Sequence, residues 1–206
     1  MKISPYGEAA LYIDLEMDEA PDRRARTHAV ARELGKRLPG TDIVLGAGSI
    51  AVIGVSGWDD LDGIVHSALG AEMGSVGRGQ LHEIRVVYDG RDLDEVAAAA
   101  RMSRDEVVAL HSAAIYEVEL IGFLPGFAYL AGVDERLVLG RRAAPRPRVA
   151  AGSVGIAGAY TAIYPHASPG GWNLIGSAVD VTPFDAKRVP PALFQPGDRV
   201  RFVPHG

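Results

Sequence analysis

Between Val149 and Val179 the chain runs for 31 residues without an Asp, Glu, Lys or Arg, and six of those residues are glycine. Glycine costs a helix interior about 1 kcal/mol relative to alanine, so this density excludes a helix of that length. The stretch must be a β region, and an uncharged β region is either deeply buried or covered by another surface. A second stretch, Ile121 to Val133, is also uncharged and sets Phe123, Phe127 and Tyr129 around Pro125-Gly126. Between the two lies "RRAAPRPR", with Arg141, Arg142, Arg146 and Arg148 held extended by Pro145 and Pro147. The expectation is that a companion polypeptide shields the long ribbon and that neither molecule alone builds a competent cavity.

At 206 residues and 48% apolar composition the chain can bury one large core or two small ones. A net charge of −5 offers no general attraction to nucleic acid or to anionic membranes. The absence of cysteine excludes disulfides, thiolate catalysis and cysteine zinc sites. No run of eighteen apolar residues and no signal-peptide core is present, so a cytoplasmic, non-membrane protein is expected.

"AALYIDLE" alternates Leu11, Ile13 and Leu15 with polar residues, the period of a half-buried strand. A helix follows, with Pro21 in its first turn, Ala25, Ala29, Leu34 and Leu38 on one face, and Pro39-Gly40 as its stop. "TDIVLG" and "SIAVIGVS" read as neighbouring strands across Ala47-Gly48, the second buried on both faces. Asp59 or Asp60 caps another helix, whose apolar stripe is Leu61, Ile64, Val65, Ala68 and Leu69. The aperiodic "GAEMGSVGRGQ" places a boundary between an α/β domain at 1–78 and a second domain at 79–206. The second opens with a strand placing Ile84, Val86 and Tyr88 on one face, then two short helices, the latter with a Ser103/Glu106 capping box. From Ile115 the texture is all-β and reads as a closed or nearly closed barrel ending in "DRVRFV". The fold class is thus α+β.

The helix pair has the length of a helix-turn-helix, but Arg104 is offset by Asp105 and Glu106, which leaves a recognition helix without donors. A hairpin covering one end of the barrel is the better reading. No Walker loop or dinucleotide fingerprint exists, and no two of the six histidines are three to five apart, so no local metal motif is present. "AGSVG" at 151–155 imitates a nucleophile elbow, with Ser153 free to pair with His166 or His111, yet strand-like residues follow where an elbow needs a helix.

"GFLPGFAYL", "APRPRVAAGSVGIAGAYTAIYPHASPGGWNLIGS" and "PPALFQPGDRVRFVP", with "YDGRDLDEVAA" and "LHSAAIYEVELIGF", together resemble a single family. Its members go by three descriptions: allophanate hydrolase subunit 1, sporulation-kinase inhibitor-like protein, and the B-type subunit of 5-oxoprolinase. The resemblance spans essentially the whole chain and departs at Arg85, where the family pattern has proline. It implies a cyclophilin-like barrel after the N-terminal domain and half of a carboxyltransferase-type unit. It also implies a role in an ATP-dependent 5-oxoprolinase that opens the lactam of 5-oxo-L-proline to L-glutamate. The implied partners are a second carboxyltransferase-like subunit of the C type and a third subunit of the A type, with ATP as co-substrate and the chain inactive alone. Two alternatives stay open: an inhibitor of a histidine kinase, and a carboxyltransferase component of urea or allophanate degradation. No biotin-accepting Met-Lys-Met occurs, so biotin for the latter would arrive on another protein.

Lactam activation needs cationic or N–H groups facing a developing oxyanion. Arg148 is the first choice for that anion contact, with a plain surface arginine as the competing reading. His111 is a candidate acid or base, with a structural histidine as its competitor. Tyr116, Phe123, Pro125, Gly126, Phe127, Tyr129, Ser153, Tyr164, Gly170, Gly171 and Trp172 are the candidate substrate-binding residues; the aromatics among them either wall a small ring or fill the barrel. Gly170 and Gly171 are expected to let the chain turn sharply against another backbone and deliver Trp172 at a fixed angle, so that "YPHASPGGW" forms a rim.

Overall fold

The computed structural model describes residues 1–15, 22–55, 61–70 and 79–206. Pro21, Asp59, Asp60 and most of the glycine-rich boundary segment lie outside them. The chain divides into two compact units, Met1–Arg78 and Gly79–Gly206.

The first unit carries an antiparallel sheet of β1 (Lys2–Pro5), β2 (Ala10–Asp14), β4 (Ser49–Ile53) and β3 (Asp42–Leu45), in that spatial order. Helices α1 (Arg23–Arg37) and α2 (Leu61–Gly70) accompany it. The alternation in β2 does what it predicts: Leu11 and Ile13 are buried beside Ile50 and Val52 of β4, while Tyr12 faces out. β4 itself is not buried on both faces, since Ala51 is only half-buried and Ile53 is exposed. The buried face of α1 is Thr27, His28, Val30, Ala31 and Leu34, with Leu38 packed against the same core; the expected stripe holds at Leu34 and Leu38 and fails at Ala25 and Ala29, which are only half-buried. Thr27 tolerates that position because its hydroxyl donates to the Arg23 carbonyl at 2.8 Å.

The second unit is a closed seven-stranded barrel, in the order β10 (Tyr160–Ile163), β7 (Ala128–Ala131), β6 (Ile115–Ile121), β13 (Arg199–Pro204), β5 (Leu81–Val87), β12 (Asn173–Ala178) and β9 (Ser153–Ala157). This is the α+β arrangement expected. β5 and β13 pair in parallel, which requires the long connection between them. Asp198 pins that junction: its carboxylate accepts from the backbone N–H of Gln80 and of Gln195, each at 2.9 Å, and lies 3.1 Å from His82 Nε2. Helices α3 (Leu93–Ala100) and α4 (Arg104–Ala113) pack Leu93, Val96, Ala97 and Val107 onto the barrel core, as a covering hairpin does. The Ser103/Glu106 capping box forms, with Glu106 accepting from the Ser103 N–H at 2.7 Å. A short two-stranded sheet, β8 (Arg146–Val149) with β11 (Ser168–Gly170), completes the unit.

The uncharged ribbon is explained by this layering. β9 sits between β10 and β12, and all five of its residues are buried. Val154 and Ile156 point into the barrel core, whereas Ala157 joins a separate aromatic cluster outside it. Gly155 carries no side chain because a Cβ there would lie 3.2 Å from Trp172 Cβ. The chain therefore covers β9, the centre of the ribbon, with its own residues, which corrects the expectation that a companion polypeptide must do so.

Candidate functional site

Phe127 is the hub of the aromatic cluster. It is 1% exposed and meets Phe123, Tyr129, Tyr164 and Trp172 edge-on, with ring centroids 5.2 to 5.4 Å apart. Such T-shaped contacts place the positive edge of one ring on the negative face of the next, adding about 0.5–1.5 kcal/mol each beyond burial. The sharp turn that delivers Phe127 places Phe123 at φ 68 and Gly126 at φ 78. A Cβ at Gly126 would also lie 2.7 Å from Phe184 Cβ, so only glycine fits there. Phe123 is not glycine, yet it holds a left-handed backbone with the residue 60% exposed, a conformation that persists where the surroundings fix it.

Beside this cluster opens a cavity of about 280 Å³. Six of the residues proposed from sequence line it: Phe123, Tyr129, Tyr164, Gly170, Gly171 and Trp172. Arg141, Arg142, Pro145 and Pro169 complete the wall. Trp172 is buried, only 5% exposed, and packs edge-on to Phe127. The close approach at Gly170 is made to the Tyr164 ring rather than to another backbone: a Cβ would press on the Tyr164 hydroxyl and lie 2.9 Å from two ring carbons. Gly170→Ala should thus destabilise the barrel unit by about 1–3 kcal/mol, read as a lower denaturation midpoint, because Tyr164 is too deeply buried to yield. Gly171→Ala, with nothing nearer than 3.7 Å, serves as the mild control.

The arginine-rich strap is held over this cavity by a carboxylate that the sequence did not single out. Asp92, 1% exposed at the start of α3, accepts from Arg142 Nη1 at 3.0 Å and from Arg146 Nη2 through one oxygen, and from the Leu174 N–H at 2.7 Å through the other. Arg142 also donates to Glu95 at 2.7 Å, and its backbone N–H donates to the Gly171 carbonyl at 2.8 Å. Arg142 and Arg146 are thereby committed to structure. Arg141 is not: it lines the cavity, is exposed, and has no ion pair or hydrogen bond among the described residues. Burial holds the Tyr164 phenol above its ordinary pKa, so this residue of the same wall keeps its O–H proton. A carboxylate-bearing small ring fits the resulting set of apolar faces, one guanidinium and one hydroxyl.

The remaining residues proposed from sequence lie elsewhere. Pro125 is exposed on the turn, and Gly126 and Phe127 stand behind the cavity wall. Tyr116 is inside the barrel, donating to the His111 carbonyl at 2.8 Å. Arg148 and Ser153 line a different cavity. His111 does not reach the aromatic site as an acid or base: it is 0% exposed and both ring nitrogens are engaged. Because Thr161 Oγ1 donates to the Gly155 carbonyl, it accepts from His111 Nε2 at 2.9 Å, leaving Nδ1 to accept from the Tyr88 hydroxyl at 2.8 Å. That assigns the neutral Nε2–H tautomer and leaves no nitrogen for Ser153, while His166 is exposed and packs edge-on to Phe184.

Burial pushes the His111 pKa down to about 3 from 6.5. A lowered histidine means the unfolded chain binds the extra proton, so stability is complete above pH 6.5 and falls as pH drops toward about 3. The slope reaches up to about 1.4 kcal/mol per pH unit. Urea midpoints measured between pH 7 and pH 4 should show that loss, and His111→Gln, which cannot titrate, should flatten it.

A family model described as carboxyltransferase domain, subdomain C and D, matches residues 1–194. The chain is 38% identical over 212 aligned residues to the B-type subunit of 5-oxoprolinase from Haemophilus influenzae, covering 100% of this chain and 99% of that one. The crystal structure of TTHA0988 is similar with a TM-score of 0.80 at 36% identity over 96% of this chain, which spans 40% of that longer protein. The urea carboxylase of Kluyveromyces lactis matches with a TM-score of 0.70 and 18% identity, over 99% of this chain and 22% of its own length, a likeness of fold.

Proposed function

The chain belongs to the carboxyltransferase domain, subdomain C and D, family, and from that premise we propose that it is the B-type component of an ATP-dependent 5-oxoprolinase, a hydrolase complex. The observation that carries this reading is the end-to-end correspondence with the Haemophilus influenzae protein. The aromatic cavity fits the substrate: Phe123, Tyr129 and Trp172 face the ring methylenes, Arg141 takes the carboxylate, and the Tyr164 hydroxyl donates to the lactam oxygen. Amide resonance makes that lactam a poor electrophile. Phosphoryl transfer from ATP to its oxygen, releasing ADP, creates a leaving group, and two waters complete ring opening to glutamate and inorganic phosphate.

The partners in this reading are a second carboxyltransferase-like subunit and a third, A-type subunit, and the complex works in the cytoplasm. Mixing the chain with those partners should give ATP-dependent glutamate release from 5-oxo-L-proline, while the chain alone gives none. Full activity from the isolated chain, or none from the complete mixture, would contradict the assignment.

A further inference from the structure

A second cavity, of about 460 Å³, shares no lining residue with the aromatic one. Its wall is built from the segment joining β5 to α3, which carries Asp89 and Arg91, from Arg148 on β8, Ser153 at the start of β9 and Ser177 on β12. Backbone packing shapes it tightly: a Cβ at Gly176 would lie 2.6 Å from the Val87 carbonyl oxygen.

The charges in this cavity are unbalanced. Arg91 and Arg148 are both exposed, and neither has an ion pair or hydrogen bond among the described residues. Arg85, Arg104, Arg136, Arg142, Arg146 and Arg201 in the same unit reach a carboxylate, whereas Arg101, Arg141, Arg188 and Arg199 show no ion pair among the described residues; Arg91 and Arg148 differ from those four in lining one cavity together. The acid that lines the cavity, Asp89, accepts from the Ser177 hydroxyl at 3.0 Å. Two guanidinium groups on one cavity wall against a single carboxylate leave a local excess of positive charge, in a chain whose net charge is −5. Their fork geometry matches the oxygens of a phosphoryl group, and the nearby Ser153 hydroxyl adds an O–H donor. The volume exceeds that of a single phosphate and leaves room for the body that carries it.

We propose that the Arg91–Arg148 cavity binds a phosphoryl group, free or carried on a nucleotide. The site stands on its own geometry and does not depend on the 5-oxoprolinase reading. Its test is binding to the full chain, measured calorimetrically with inorganic phosphate and with ATP, with acetate as the carboxylate control. Saturable binding that Arg91→Gln and Arg148→Gln each weaken about tenfold or more, and that Arg141→Gln leaves unchanged, supports the site. Tighter binding of ATP identifies a nucleotide as the source, and equal binding identifies phosphate alone. No saturation of either probe by about 10 mM, the weak end of useful affinity, overturns the proposal. So does binding that survives both substitutions, or acetate that competes as well as phosphate.

Discussion

Asp92→Ala should lower the unfolding free energy by about 3 kcal/mol and loosen the strap from Arg141 to Arg148. The loss has two sources. Arg146, part-buried, loses its carboxylate and keeps only the Trp172 carbonyl at 3.4 Å, and the Leu174 N–H inside β12 loses its carboxylate acceptor, a group that costs about 1–3 kcal/mol when left unsatisfied. The figure sits at the low end of the range for a broken buried pair because Arg142 keeps Glu95 and is partly exposed. Urea denaturation measures the energy, and hydrogen exchange across residues 141–148 measures the loosening. Asp92→Asn keeps an acceptor for Leu174 and should fall between the two. An unchanged midpoint in Asp92→Ala would show that the strap is held by something other than this carboxylate.

Arg141→Gln should leave the fold intact and raise the KM of the reconstituted complex for 5-oxo-L-proline by about 10- to 100-fold, the worth of a charge-assisted hydrogen bond. Arg141 contributes no ion pair to the structure among the described residues, so its removal reports on ligand alone. A guanidinium holding the carboxylate equally in ground and transition states alters KM with little change in kcat. Arg141→Lys should recover part of the loss, since charge survives while the bidentate geometry does not. A drop in kcat at constant KM would assign Arg141 to the reacting oxygen instead.

What the sequence disclosed and what it withheld follow physical lines. Strand β2 and the capping box of α4 were legible because period-two alternation and a Ser-x-x-Glu spacing are local signals. The uncharged ribbon announced its burial, but not what buries it, because the covering strap, aromatic turn and Trp172 converge only in three dimensions. Phe123, Tyr129, Tyr164 and Trp172 were found by their type and their Pro-Gly neighbours, and the fold brings them to one cavity. Asp92 was missed, since it reads as an ordinary helix-start acid and its arginines lie 50 and 54 positions away. A signal was present: from Arg136 to Val179 there is no acidic residue, so any carboxylate for a strap arginine had to come from elsewhere in the chain, as it does for Arg142 and Arg146. His111 misled because a titratable residue on a short helix looks available until the barrel closes around it. The face of α1 was misjudged because alanines exert little pull, and Thr27 satisfies itself within the helix.

In the proposed function the aromatic cavity receives the five-membered lactam. The structure of the reconstituted assembly with 5-oxo-L-proline bound should place the ring against Trp172 and its carboxylate on Arg141. Ligand seated on another polypeptide of the complex, with this cavity unchanged and open, would contradict it.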